Sequence, residues 1–203
     1  MKRHTNKAAL FAALAVTFDL IHDFMDQWGQ AGWAAANKGL HGDHMVYLDG
    51  FGVENDQRTT PRVTTDDLTV MTATQLGRKA DTHHVAYYTI GQLIASIAVT
   101  RLLGYRVSLR ALVVGHVVVN GVTHWVIDRR APLHKLAKHR LFDKEGYIQY
   151  HGKVLPNGKP EIYGPGTASF ELDKSLHRVI GLASAAVTTA LAVRFGRKKV
   201  GRG

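Results

Sequence analysis

The residues of this chain that could do chemistry recur at a spacing of four. His22 is followed by Asp26 and then Gln30. His116, Asn120, His124 and Asp128 form one series, and Asp173 is followed by His177. His83 and His84 stand one turn before Tyr87 and Tyr88. Residues four apart share a helix face, so each series predicts one polar stripe on one helix. Neutral imidazole and carboxylate are the donors that zinc, manganese and iron accept, and a carboxylate either binds such a metal or orients a histidine that does. The pattern therefore points to a divalent metal, with His22, His124 and His177 as ligands and Asp26, Asp128 and Asp173 as ligands or orienting carboxylates. That set suffices for one metal or two. His84 is a further ligand or a general base, which with Asp26 gives the catalytic candidates. A metal here would acidify a bound water and make the site hydrolase-like. Two other chemistries fit the same residues. One is a His/Asp proton relay in a small ion-coupled carrier. The other is hydrogen bonding that merely fastens helices in a non-enzymatic structural or interaction protein.

Each pair has a plainer reading when taken alone. A single His-x3-Asp is more often a surface ion pair. Asp173 near a helix start also suits the macrodipole. Asn120 reads as interhelical glue. His116, which lies deeper than Asp128, reads as packing or support. Asp19 and Asp23 read as facing loop or water. His83 and His84 point about 100° apart on a helix, so one of them faces inward, and His84 is the choice. What raises the site above these readings is that several pairs share one level.

The elements that must position these residues are four apolar runs: Ala8 to Phe24, His83 to Leu103, Val107 to Ile127 and Leu176 to Phe195. Each is close to the ~20 residues that cross ~30 Å of hydrocarbon as a helix. The expected fold is all-α: a four-transmembrane-helix bundle with long loops and a small β-hairpin in the third loop. The helices are placed at about 8–30, 82–103, 107–128 and 172–195 of one integral membrane domain, 1–195, with a basic tail at 196–203. A soluble bundle with buried helices is the alternative. The stretch between the first apolar run and Ala34-Ala35-Ala36 is too long and too acidic for a cleaved leader. In an up-down bundle, odd helices end where even helices begin. His22/Asp26, His83/His84, His124/Asp128 and Asp173/His177 then fall on one side of the membrane at similar depth. Intramembrane ionisable groups are costly and turn toward the bundle interior or a wet cavity.

The connections are read from turn chemistry. "GYRVSLR" is short and makes helices two and three a hairpin. The first loop is Gly-, Asp- and Thr-rich and contains Pro61. Within it "TDDLTVMTATQLGRKA" reads as a short amphipathic helix capped by Thr65 or Asp66. The third loop opens with a helix after Pro132. Then "YIQYHGKVLPNGKPEIYG" reads as a hairpin turning at Asn157-Gly158.

Composition bounds the rest. In 203 residues there is no cysteine, which excludes disulfides and thiolate metal sites. The net charge is +10, which suits nucleic acid, an anionic membrane or an acidic ligand. The basic residues are scattered beside the apolar runs and form no recognition motif, so membrane lipids are the expected partners and nucleic acid is not; homo-oligomerisation is left open. No Gly-rich phosphate loop or Gly-x-Ser-x-Gly element occurs. Lys2, Arg3, Lys7, Arg101, Arg106, Arg110 and the tail make the side away from the cluster cytoplasmic by the positive-inside rule. Arg129, Arg130, Lys135, Lys138 and Arg140 on the cluster side pull against that. Arg129 and Arg130 also invite a role in holding an anionic headgroup or phosphate.

The motifs "HDFMDQWGQAGWAAANK", "THWVID" and "FELDKSLHRVI" resemble the domain of unknown function 3307 family of small bacterial and phage integral membrane proteins. The resemblance covers the four helices and not the loops at about 39–80 and 141–168. It implies His22, Asp26, Gln30, Lys38, His84, His124, Asp128, Asp173 and His177 as family positions, with Gln30 and Lys38 joining Arg129 and Arg130 as substrate-binding candidates. Lys174 stands where the family has Gln, and Gln27 where it has Phe. It also implies a bacterial inner (cytoplasmic) membrane, or the host cell membrane of a phage. No reaction is implied.

Overall fold

The first apolar run becomes α1 (Lys7–Gly29) in the computed structural model, which describes residues 6–55, 69–150, 153–154, 158, 160–161, 164 and 166–198. The Asn6 side chain caps α1 by accepting from the Ala9 amide at 3.2 Å. Its last turns, Met25–Gly29, widen into a π-helix. A short α2 (Gly32–Asn37) and a two-stranded antiparallel sheet follow, β1 (Met45–Tyr47) against β2 (Val70–Thr72). α3 (Ala73–Leu102) opens on a full capping box: the Thr72 hydroxyl accepts from the Gln75 amide, and the Gln75 side chain accepts from the Thr72 amide. Ser108 caps α4 (Leu109–Asp128), whose middle, Val114–Gly121, is also π-helical. α5 (Ala131–Lys138) carries Pro132 in its first turn, where a missing amide proton costs nothing. α6 (Glu145–Tyr150) and a minimal ladder of β3 (Lys153–Val154) with β4 (Pro160–Glu161) lead into α7 (Ala168–Lys198).

Four expectations change. The second long helix begins at Ala73, not near 82, because the capping box at Thr72 starts it there. The segment expected as a separate amphipathic helix instead supplies β2 and the first turns of α3; Pro61, Thr65 and Asp66 lie outside the described residues. In the third loop, Tyr147 to Tyr150 are helical, and among the described residues the hairpin has two residues per strand. Gly158 has φ +77°, as a hairpin turn needs, and Asn157 lies outside the described residues. The first residues of the expected tail extend α7 to Lys198; 199–203 lie outside.

Four helices, α1, α3, α4 and α7, are long and apolar enough to cross a membrane. α1 and α4 each pack against both α3 and α7, which makes a four-helix arrangement. Its polarity is inverted relative to a water-soluble bundle. Val16, Leu20, Phe24, Ile90, Ile94, Val118, Val122, Val179 and Leu182 are exposed on the outer faces. Gln92, Ser96, Thr100, His116, Asn120, Ser184 and Thr188 are buried inside. The interior polar groups bond across helices. Asn120 donates to the Tyr88 hydroxyl at 3.0 Å and to Gln92 Oε1 at 2.5 Å, and Gln92 donates to the Phe18 carbonyl at 3.1 Å. His116 has both ring nitrogens bonded, to the Leu112 carbonyl and the Ser96 hydroxyl, and stacks on Phe18 at 4.4 Å. It is a satisfied core histidine, and Asn120 is interhelical glue, as their positions implied. Helices α4 and α7 meet where a Cβ on Gly115 would fall 1.8 Å from Thr188 Oγ1. Only glycine permits that approach.

Candidate metal centre

Seven side chains from the four long helices converge at one end of the bundle: His22 and Asp26 (α1), His84 (α3), His124 and Asp128 (α4), Asp173 and His177 (α7). The histidines and Asp128 are buried, and Asp26 and Asp173 are partly so. The local winding helps to bring them there. A residue four positions on overshoots a full α-turn by about 40°, so a series of four-spaced residues drifts around an α-helix. A π-turn is wider and undershoots. The π-helical stretch in α4 offsets the drift, and His116, Asn120, His124 and Asp128 all remain at 3% exposure or less.

The distances are short. His84 Nε2 lies 3.1 Å from His124 Nε2, 3.0 Å from Asp26 Oδ1 and 3.3 Å from Asp128 Oδ2. His124 Nε2 lies 3.3 Å from Asp128 Oδ2 and 3.9 Å from Asp26 Oδ1. His22 Nε2 is 3.4 Å from Asp26 Oδ2, and His177 Nε2 is 3.5 Å from Asp128 Oδ1. Three groups offer ligand atoms within 4.8 Å of one another: His22, His124 and His177; Asp26, His84 and His124; Asp128, Asp173 and His177. Such groups are able to hold a metal ion.

Much of this donor capacity has no hydrogen-bond partner among the described residues. Both ring nitrogens of His22, Nδ1 of His84 and of His124, Nε2 of His177, and one oxygen each of Asp26 and Asp128 are buried in that condition. A buried polar atom left unbonded costs about 1–3 kcal/mol. His177 shows how the tautomer is set. Its Nδ1 donates to the Asp173 carbonyl at 2.9 Å, which leaves a bare Nε2 lone pair facing Asp128. A ligating histidine is commonly oriented in this way.

The substrate-binding candidates separate. Gln30 donates to the Asp26 carbonyl, and Gln30, Lys38 and Arg130 line a cavity of about 240 Å³. Asp26, Asp128 and Asp173 form its inner wall, and Ala35, Leu133, Ser169 and Phe170 are among the rest. Lys38 Nζ lies 2.8 Å from Asp128 Oδ2. Burial alone would pull its ammonium down, but Asp128 and Asp26 outweigh that and hold it above the usual lysine range. Arg129 does not line the cavity. Its guanidinium donates to the Lys38 and Leu40 carbonyls at 2.8 and 2.7 Å, and so clamps the chain that follows α2. Gly77 makes room for this clamp, since a Cβ there would meet Arg129 Nη1 at 2.2 Å and the Leu40 carbonyl at 2.3 Å. Both terminal nitrogens of Arg129 are thus engaged with the backbone at Lys38 and Leu40. His83 stacks on Tyr87 outside the cluster, so His84 is the inward histidine. Asp19 and Asp23 do not simply face water: Asp19 pairs with Arg178 at 2.9 Å and Asp23 with Lys174 at 3.1 Å, tying α1 to α7.

Two site features escaped the sequence reading. Asp81 is fully buried, with neither carboxylate oxygen hydrogen-bonded among the described residues. It stands three residues before His84, and that spacing could have found it. The Tyr88 ring packs 4.1 Å from His124, a contact its i+4 spacing from His84 also foreshadows.

No protein-family model, no curated protein and no solved structure matches this chain. The resemblance drawn from the motifs is neither supported nor opposed by those comparisons, and the geometry carries the functional reading.

Proposed function

We propose that α1, α3, α4 and α7 span a bilayer and that the His/Asp centre is a metal-dependent hydrolytic site at one membrane interface. One observation carries this reading: seven histidine and aspartate side chains from four helices meet in a buried centre beside a polar cavity, with ligand atoms that have no hydrogen-bond partner among the described residues. The membrane part rests on the apolar outer faces. A contiguous apolar surface of that extent is unstable in water and stable in hydrocarbon. A divalent metal would supply an acidified water and a charge to polarise an ester oxygen. Lys38 and Arg130 on the cavity wall suit an anionic group such as a phosphoester. An apolar groove of about 400 Å³ runs between α4, α5 and α7, and Leu133 borders both it and the polar cavity. A charged head beside an apolar groove favours an amphiphilic substrate, a phosphoester carried on a lipid chain.

The test is elemental analysis of the detergent-purified protein beside His124→Ala, followed by phosphate release from a lipid phosphomonoester in mixed micelles. Bound zinc, manganese or iron in the parent, lowered in the variant with phosphate release lost, is the expected result. A parent that is metal-free and refuses added metal overturns the reading. The Lys38–Asp128 ion pair favours the competing one, in which the cluster fastens helices and neutralises itself without a metal.

A further inference from the structure

The two central carboxylates each face two histidine sets with opposite oxygens. Asp26 turns Oδ1 toward His84 and His124, and Oδ2 toward His22. Asp128 turns Oδ2 toward His84 and His124, and Oδ1 toward His177. The same two side chains thus face two adjoining pairs of imidazoles, His84 with His124 and His22 with His177, and the pairs meet where the His124 and His177 rings lie 4.1 Å apart.

In the first set, His84 Nε2, His124 Nε2 and Asp26 Oδ1 form a group able to hold a metal, with separations of 3.1, 3.0 and 3.9 Å. Asp128 Oδ2 lies 3.3 Å from each of the same two nitrogens. Four ligands held 2.0–2.1 Å from a tetrahedral metal are separated by ~3.3 Å. Hydrogen bonding does not account for these contacts as well. Only one of two facing imidazole nitrogens can carry the proton. Whichever ring donates, both Nδ1 atoms remain buried without a partner among the described residues. Lys38 does not displace a metal from this set, because Asp128 Oδ2 has a second lone pair for the ammonium.

The second set lies on the far oxygens. His22 Nε2 sits 3.4 Å from Asp26 Oδ2, His177 Nε2 sits 3.5 Å from Asp128 Oδ1, and the two rings are 5.0 Å apart. Asp173 is within ligand range of Asp128 and His177 and lines the cavity.

We infer that the centre is dinuclear, with Asp26 and Asp128 as bridging carboxylates. One divalent cation is held by His84 and His124, and the second by His22 and His177 with Asp173. This deepens the metal-dependent reading above and rests on it. It makes His84 a ligand rather than a general base. Two metals ~3.5–4 Å apart hold the attacking and leaving oxygens of a phosphoester together, which is the substrate class the cavity favours.

The experiment is manganese loading of the chelator-stripped, detergent-purified full chain, read by metal analysis and low-temperature electron paramagnetic resonance. Two manganese ions per chain with a spin-coupled signal are expected. His84→Ala and His22→Ala should each keep one ion with an uncoupled signal, each emptying a different site. The parent measurement decides the matter even if a variant fails to fold. One ion with an uncoupled signal in the parent overturns the dinuclear inference and leaves the metal-dependent reading standing. Two ions without coupling overturn the bridge. No manganese at all, with zinc and iron also refused, overturns both.

Discussion

His84 Nε2 and His124 Nε2 face each other across 3.1 Å in a centre that excludes solvent from both rings. They come from helices joined by a short connection, α3 and α4, and both lie within 3.3 Å of the same oxygen of Asp128. Two lone-pair nitrogens held beside one carboxylate are poorly satisfied by a single proton. They are well satisfied by a cation between them. The neighbouring Lys38 ammonium is a cation already there, which makes the lysine the residue that best separates a metal site from a helix fastening.

Lys38→Met removes the ammonium and keeps most of the aliphatic stem. In metal-free protein the variant leaves the Asp128 carboxylate buried without its partner, a loss of about 3–5 kcal/mol. If the centre binds a divalent cation, saturating zinc or manganese restores much of this, about 2.7 kcal/mol at a hundredfold excess over Kd. The metal-induced rise in unfolding temperature should then be larger in Lys38→Met than in the parent, because the cation replaces the lost charge. Thermal unfolding in detergent, with chelator and with metal, is the measurement. A deficit that metal does not relieve counts for the fastening reading.

The contact between Gly115 and Thr188 sets how closely α4 and α7 approach, and so how His124 and Asp128 meet His177. Gly115→Ala would press its methyl on Thr188 Oγ1, at 1.8 Å before relaxation, with the Ser184 carbonyl next at 3.1 Å. Overpacking of this kind costs about 1–3 kcal/mol. Thr188→Ala removes the obstructing oxygen and one bond to the Ser184 carbonyl, a loss of about 1 kcal/mol. The double variant should be more stable than Gly115→Ala alone. A cycle of thermal or chemical unfolding measurements gives the coupling. Strictly additive losses would mean that the two residues do not set the helix spacing.

Much of the site was legible because a buried face on a helix must repeat at a spacing near four, and alternating helix direction forces clusters at successive ends to one level. His22, Asp26, His124, Asp128, Asp173 and His177 meet for that reason. The pairing of Lys38 with Asp128, ninety positions apart, depends on Arg129 clamping the chain after α2, and no local pattern reports it. Asp81 was missed because the second helix was started too late, at about 82 rather than at the Thr72 cap. Val114–Gly121 is π-wound where it packs against α3 and α7, and its valine-rich composition carries no sign of the winding. In the third loop, alternating residues suggested strand from Tyr147 onward, where Glu145–Tyr150 are helical.

The chain has three tryptophans, and all stand at the His/Asp end of the bundle. Trp28 lies in the last turns of α1 and is 81% exposed. Trp33 lies in the first turn of α2, with its ring 5.1 Å from His83. Trp125 follows His124 and donates its indole proton to Thr82 at 3.2 Å. Tryptophans gather at the boundary between headgroups and hydrocarbon, where an apolar ring with one polar edge is most stable. If α1, α3, α4 and α7 cross a bilayer, all three sit at one interface and none at mid-depth. Reconstituted in vesicles, their emission should be quenched more by lipids brominated near the headgroup than by lipids brominated near the chain end. Trp28→Phe should remove the largest part of that difference, since Trp28 is the ring most open to lipid. Equal or absent quenching would place the helices outside the hydrocarbon, and stronger quenching by deep bromines would put the His/Asp cluster at the wrong depth.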